Sequence, residues 1–215
     1  MAFDYKKEFK EFYLPPAKPQ IVKIPKMQFV AVRGTGNPNE EDGEYKSALE
    51  ILYAISYTIK MSKMGDRRIE GYFDYVVPPL EGFWWQEKGG KKLLGIDYSR
   101  KDSFNWISAI RLPDFVAKKD FDWAKESVQK KKGLDVSRAE LFAFAEGECV
   151  QIMHKGSYDD EPASVKVMDD FAAASGYELD FTDARLHHEI YLSDPRKTAA
   201  EKLKTVIRHP IKSAL

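Results

Sequence analysis

A strand, a glycine-bearing loop, a helix and two further strands follow one another twice along this chain, and that repeated order constrains the fold more than any single motif. In the first pass, residues 27–32 alternate as a strand and run into the turn-rich Gly34-Thr35-Gly36-Asn37-Pro38-Asn39. Tyr45, Ala48, Leu49, Leu52, Ile55, Ser56 and Ile59 then recur at three- and four-residue steps, which predicts a helix over 44–62. β-Branched and aromatic strands are expected at 72–77, 81–85 and 105–112, with Pro78-Pro79 breaking the first from the second. In the second pass, 141–145 and 148–154 read as a hairpin about Glu146-Gly147, and 155–160 supplies the loop. A helix starts near Pro162 with Asp160 as its cap, buries Val165, Met168, Phe171 and Ala172, and stops at Gly176. A strand over 186–192 comes next. The pattern from Asp194 and Pro195 through Leu203 and Val206 predicts a last helix before His209-Pro210.

These readings give an α+β fold of two pseudo-symmetric strand-helix-strand-strand repeats that form one antiparallel sheet. Helices cover one face, and the opposite face forms a ligand groove between the halves. The chain divides as one domain: an irregular, proline-bearing leader over 1–26, a first repeat over 27–113, a connector helix within 114–136 and a second repeat over 137–215.

Composition excludes several classes of function. Lys plus Arg and Asp plus Glu both number 34, so no basic field argues for nucleic acid or an anionic membrane. The Lys130-Lys131-Lys132 run, followed by Gly133, reads as the end of a helix. The single cysteine, Cys149, lies in a strand-like segment and reads as an inert buried thiol; it provides neither a disulfide nor a thiolate pair for a metal. No apolar stretch is long enough for a membrane span and no signal-peptide pattern opens the chain, so a cytoplasmic protein is expected. No separate DNA-binding head is expected. Monomer and homodimer both remain open.

The segment Leu186-His187-His188-Glu189-Ile190-Tyr191-Leu192 places a carboxylate in mid-strand, where glutamate is a poor fit. Alternation puts Leu186, His188, Ile190 and Leu192 on one side and Arg185, His187, Glu189 and Tyr191 on the other. The second set either lines a ligand cleft or forms a solvated sheet face. Adjacent His187 and His188 point to opposite faces and cannot share an ion without distortion, so no metal and no cofactor is expected. Trp84 and Trp85 must likewise face opposite sides.

The segments 154–163, 187–195 and 203–211, together with Pro78-Pro79-Leu80-Glu81-Gly82-Phe83-Trp84-Trp85 and Phe104-Asn105-Trp106-Ile107, resemble the GyrI-like small-molecule-binding domains, and in particular a stand-alone branch of them. The resemblance implies the duplicated fold and a groove with a central glutamate, here Glu189. It also implies one of two functions. Stand-alone members include hydrolases that open the cyclopropane of DNA-alkylating natural products; fused members are effector-binding regulators that bind planar, often cationic drugs.

Hydrolysis requires a flat aromatic slot, a base and a donor for the dienone oxygen. Glu189 is the candidate base, with its pKa expected to rise among aromatic rings. Tyr191 and His187 are candidate donors or water-orienting groups. Trp106, Trp85 and Trp84 are candidate slot walls, though tryptophan is more often core. Tyr75 and Tyr57 are further candidates for ligand contact, and Glu81 for a second acid. His154 and His209 read as structural. The expected ligand is a flat hydrophobic or cationic aromatic small molecule, and the alternative to catalysis is drug binding or sequestration.

Overall fold

The computed structural model describes residues 2–93 and 95–214. Two short helices open the chain, α1 (Tyr5–Glu8) and α2 (Lys10–Tyr13). The first repeat is β1 (Gln20–Thr35), α3 (Glu44–Lys60), β2 (Leu80–Trp85), a small hairpin of β3 (Glu87–Lys88) and β4 (Lys91–Lys92), and β5 (Asn105–Leu112). The connector is α4 (Lys118–Lys132), ended by Gly133 in the left-handed conformation. The second repeat is β6 (Glu140–Lys155), α5 (Glu161–Ala174), β7 (Tyr177–Leu179), β8 (His187–Tyr191) and β9 (Lys204–Ser213).

Every pairing among the main strands is antiparallel. The two long strands, β1 and β6, cross as the axis of pseudo-symmetry. β1 carries β5 and then β2; β6 carries β9 and then β8. The outermost strands of the two halves, β2 and β8, also pair, so six strands form a closed ring, and β7 extends it beside β9. Closure removes the free edges that strands from each half would otherwise expose.

Ring closure gives the sheet an outer and an inner face. On the outer face, Val30, Val32, Trp84, Trp106 and Ile110 pack beneath α3 and α4, while Val150, Ile152 and Ile207 pack beneath α5. Phe29, Phe83, Ile107, Cys149, Ile190 and Val206 fill the inside, with Tyr5, Phe12 and Tyr13 of α1 and α2 packed against them. The interior is nearly full, keeping a void of about 10 Å³ beside His188 and Arg208.

Five sequence expectations change. The leader is not irregular throughout: it forms α1 and α2, and its residues 20–26 are strand, because they pair with β6. That pairing also removes the expected hairpin. β6 runs unbroken through Glu146 and Gly147, whose φ of +77° kinks the strand rather than reversing it. Residues 72–77 are not a strand apart from one bridge between Phe3 and Tyr75. The last helix is instead turns followed by β9, where Thr205, Val206 and Ile207 meet the ladder demands of both β6 and β8. Phe171 is partly exposed on α5, leaving Met168 and Ala172 as its buried stripe.

Candidate functional site

Pairing of β8 with β2 sets Gly82 opposite Glu189, Phe83 opposite His188 and Trp84 opposite His187. Alternation then divides the two adjacent histidines between the two faces of the ring. Each builds a different cluster.

His188 and Glu81 point inward. The His188 ring bridges Glu81 at 3.0 Å and Glu146 at 3.1 Å and stacks on Phe83 at 4.1 Å between centroids. Arg208 donates to Glu146 at 2.9 Å, to Gln151 and to the backbone oxygen of Phe12, and Tyr13 donates to Glu81. Burial opposes charge on His188, but Glu146 and Glu81 outweigh it and hold its pKa above the ordinary value. Burial likewise opposes charge on Glu146, yet His188 and Arg208 hold it down to about 2. Two anions and two cations thus balance inside the ring and tie the N-terminal helices to it.

His187, Glu189 and Tyr191 point outward, towards the helices. Glu189 therefore lies on the helix-bearing face between α3 and α5, not on the opposite face where a groove was expected. Its Oε1 meets His187 Nε2 at 2.8 Å, and its Oε2 accepts from the Tyr191 hydroxyl at 2.6 Å. The Trp84 indole N–H donates to the same hydroxyl at 2.9 Å. Gly82 makes this junction possible, since a Cβ there would sit 2.5 Å from Trp84 Nε1 and 2.9 Å from the Tyr191 oxygen.

Four tyrosines surround the carboxylate. Tyr45 comes from α3 and Tyr98 from the loop between β2 and β5; Tyr158 precedes α5 and packs edge-on to Tyr191 at 5.8 Å. Burial raises the pKa of all four, and the Glu189 charge adds to it, which keeps every hydroxyl protonated. Tyr98 also donates to Glu161 at 3.2 Å, and Lys101 pairs with Asp159 at 2.6 Å, so the loop is fastened to the start of α5. Glu189 keeps 7 % exposure.

The expected rise in the Glu189 pKa belongs to its neighbour instead. Burial disfavours the Glu189 charge, but His187 and Tyr191 hydrogen bonds outweigh it and hold the carboxyl below its usual range. Glu161, at the start of α5, is pushed well above its usual range by burial and by the Glu189 charge. One carboxylate and one carboxylic acid therefore lie side by side, which sets their acid and base roles apart. Glu161 Oε2 accepts from Tyr98, and its acid proton is turned to Glu189.

Glu161, His187 and Glu189 present donor atoms within 4.8 Å of one another, spacing that suits a cation. His187 and Glu189 already share a hydrogen bond of 2.8 Å, which a cation there would replace.

The other expected residues scatter. Trp106 is fully buried beneath Tyr45, at 5.1 Å, with its ring against Gly34, so it supports the wall rather than forming it. Trp84 and Trp85 line a separate cavity of about 320 Å³ with Leu93, Phe181, Leu186 and His187. This cavity touches the Glu189 cluster through Trp84 and His187. Tyr75 is buried in the inner core near Phe115, away from Glu189. Tyr57 is 51 % exposed and stacks on Tyr53, and Glu81 serves the inner cluster. His154 bonds Ser164 and the Ser157 backbone, whereas His209 joins the outer cluster through His187.

Sequence reasoning missed Tyr45, Tyr98, Tyr158 and Glu161. Tyr45 was legible only as helix core, and Tyr158 and Glu161 fall within a segment that carried the family resemblance. Tyr98 lies in a loop that gives no periodic signal.

Comparison with known proteins assigns the family. The family model described as GyrI-like small molecule binding domain matches residues 17–212. Among solved structures, a hydrolase from Listeria innocua is 47 % identical over 98 % of this chain and 100 % of that one, with a TM-score of 0.87. A second Listeria innocua hydrolase is 46 % identical over 99 % and 100 %, at 0.89. An uncharacterized conserved protein from the same organism is 49 % identical over 98 % and 100 %, at 0.90. The curated proteins contain no match.

Proposed function

We propose that this chain, which belongs to the GyrI-like small molecule binding domain family, is a hydrolase that opens the cyclopropane of dienone-conjugated, DNA-alkylating small molecules by adding water. The observation that carries this reading is a carboxylate kept ionised and oriented by two hydrogen bonds inside a cup of tyrosines. The hydrolase names of two structures with nearly half their residues identical support it.

In this mechanism Glu189 takes one proton from a water molecule. Glu161, which keeps its own proton beside the charged Glu189, helps to hold that base ionised. The water oxygen bonds to the cyclopropane methylene; the adjacent carbon–carbon bond breaks and its electron pair enters the ring as a phenolate. Tyr158, whose hydroxyl makes no hydrogen bond among the described residues and whose pKa is pushed up to about 12 by burial and by the Glu189 charge, donates to the dienone oxygen as that charge grows. The phenolate takes its proton from bulk water on release. Tyr191 and His187, with their polar atoms already engaged, position the base rather than touch the dienone.

The test is mass spectrometry of a cyclopropanoid alkylator incubated with the protein and with Glu189→Gln. A water adduct formed by the parent and lost in the variant supports hydrolysis. Binding without turnover in both leaves a drug-binding or sequestering protein.

A further inference from the structure

Behind Glu189 the outer cluster continues across β9 to the surface of α5. His187 Nε2 meets Glu189 Oε1 at 2.8 Å, His187 Nδ1 meets His209 Nε2 at 2.7 Å, and His209 Nδ1 meets Asp169 Oδ1 at 2.7 Å. Both imidazoles are buried, while the Asp169 side chain keeps 26 % exposure. One end of the chain is thus the base and the other is open to solvent.

Counting protons across this chain gives a definite result. Three short contacts between groups that end in two carboxylates need three hydrogens. Two neutral imidazoles bring only two. The four groups must therefore hold one extra proton. It has two terminal arrangements, with Glu189 protonated at one extreme and Asp169 at the other. The arrangements interconvert when each of three hydrogens crosses its own contact, and no heavy atom moves.

We propose that Asp169 and His209 form, with His187, a relay that positions Glu189 and shares one proton between it and the solvent-exposed Asp169: shifting the three hydrogens towards Asp169 leaves Glu189 ionised and able to take a proton from water. The proposal rests on Glu189 acting as the base, which it can do only in the arrangement that places the shared proton at the Asp169 end. The relay gives a role to the hydrogen bond between two buried imidazoles. Asp169 and His209 are positioning residues and touch no substrate. The groups facing the chain are Glu161 and Asp169 from α5, Tyr45 from α3, Tyr98 from the loop after β4, Tyr158 before α5, and Tyr191 on β8 itself. Phe181 packs edge-on to His209 at 4.9 Å and shields that ring from water.

Asp169→Asn tests the idea at its solvent end, where the fold is least at risk. Asparagine still accepts from His209 but cannot take a proton onward. With the cyclopropanoid alkylator as probe, kcat falls about tenfold or more, within the range for losing an acid–base function, while KM holds. His209→Gln gives the same kinetic pattern. Independently of turnover, ring-nitrogen NMR of histidine-labelled protein shows the His187 signals moving in Asp169→Asn, although His187 lies two contacts away. Unchanged kcat in Asp169→Asn, or His187 signals that stay fixed while only those of His209 move, overturns the relay. Absence of turnover in the parent overturns the hydrolase reading instead, and the NMR result then decides the relay alone.

Discussion

Replacing Glu146 by glutamine removes one anion from the buried quartet of Glu81, Glu146, His188 and Arg208. The carboxyl of Glu146 is held from an ordinary 4.5 down to about 2. At about 1.4 kcal/mol for each tenfold change in proton affinity, this displacement corresponds to about 3 kcal/mol of stability. The variant also leaves His188 and Arg208, 3.5 Å apart, with Glu81 alone to balance them. Breaking a buried pair in this way costs about 3–5 kcal/mol, and the two figures agree.

The pH dependence has a fixed sign. Glu146, with its lowered value, stabilises fully above 4.5, and that contribution disappears as pH falls towards about 2. His188, with its raised value, stabilises fully below 6.5, and its contribution is lost as pH climbs through the folded value. These two groups therefore favour the fold most between 4.5 and 6.5. Urea unfolding followed by tryptophan fluorescence at mildly acidic and mildly alkaline pH measures this. The parent loses stability on the alkaline side; Glu146→Gln starts lower and declines less, because the anion that chiefly holds the His188 proton has gone. A variant within about 1 kcal/mol of the parent, or one with the full alkaline decline, refutes the assignment of His188 as a buried cation.

Tyr191→Phe removes a donor from Glu189 and leaves the Trp84 N–H unpaired, so the acidic limb of the kcat profile moves to higher pH and stability falls by about 1–3 kcal/mol. A pH profile with an unmoved acidic limb contradicts this. Gly82→Ala forces Trp84 and Tyr191 apart and lowers stability by about 1–3 kcal/mol, read as Cm in urea; a neutral result means the junction tolerates a methyl group. Tyr158→Phe lowers kcat about 100-fold with Tm unchanged, measured by product formation and thermal unfolding, and an equal loss of Tm assigns Tyr158 to packing instead. Cys149 stays unmodified by a thiol reagent in the folded protein, since burial raises its pKa, and reacts only in urea.

The repeated order of elements was legible because α3 carries a clean helical stripe and β8 a clean alternation. Helix and strand were harder to distinguish over 194–208, where Leu203 and Val206 fit a three-residue step and Thr205, Val206 and Ile207 also fit a strand. The choice rests on two neighbours, β6 and β8, that lie 50 and 15 residues away in sequence. Alternation correctly separated His187 from His188 and Trp84 from Trp85. It could not say which side faced helices. Nor could a local pattern show that Glu161 would meet Glu189, a contact that exists only once α5 lies across β8 and β9. The pKa expectation failed for the same reason: burial alone argues for a raised Glu189, and the opposing hydrogen bonds from His187 and Tyr191 become visible only in three dimensions.

Closure of the ring explains why the candidate site lies on the seam between the two repeats. Gly82, Trp84 and Tyr45 come from the first repeat, and Glu161, Tyr158, His187, Asp169 and His209 from the second; the β2–β8 ladder brings them together. Neither repeat alone holds both the carboxylate and the tyrosine cup. The same ladder puts His188 beside Phe83 and across from Glu81, so the inner quartet is assembled by the same event. Electrostatics then separates the two faces. Inside, two cations offset two anions and nothing opens to water, which suits a fixed structural role. Outside, Glu189 and Asp169 end a chain of contacts through two imidazoles that reaches the surface, which suits proton movement. One pair of adjacent histidines on one strand thus supplies the rigid support on one face and the mobile proton on the other, and the alternation of a β-strand is what keeps the two roles apart.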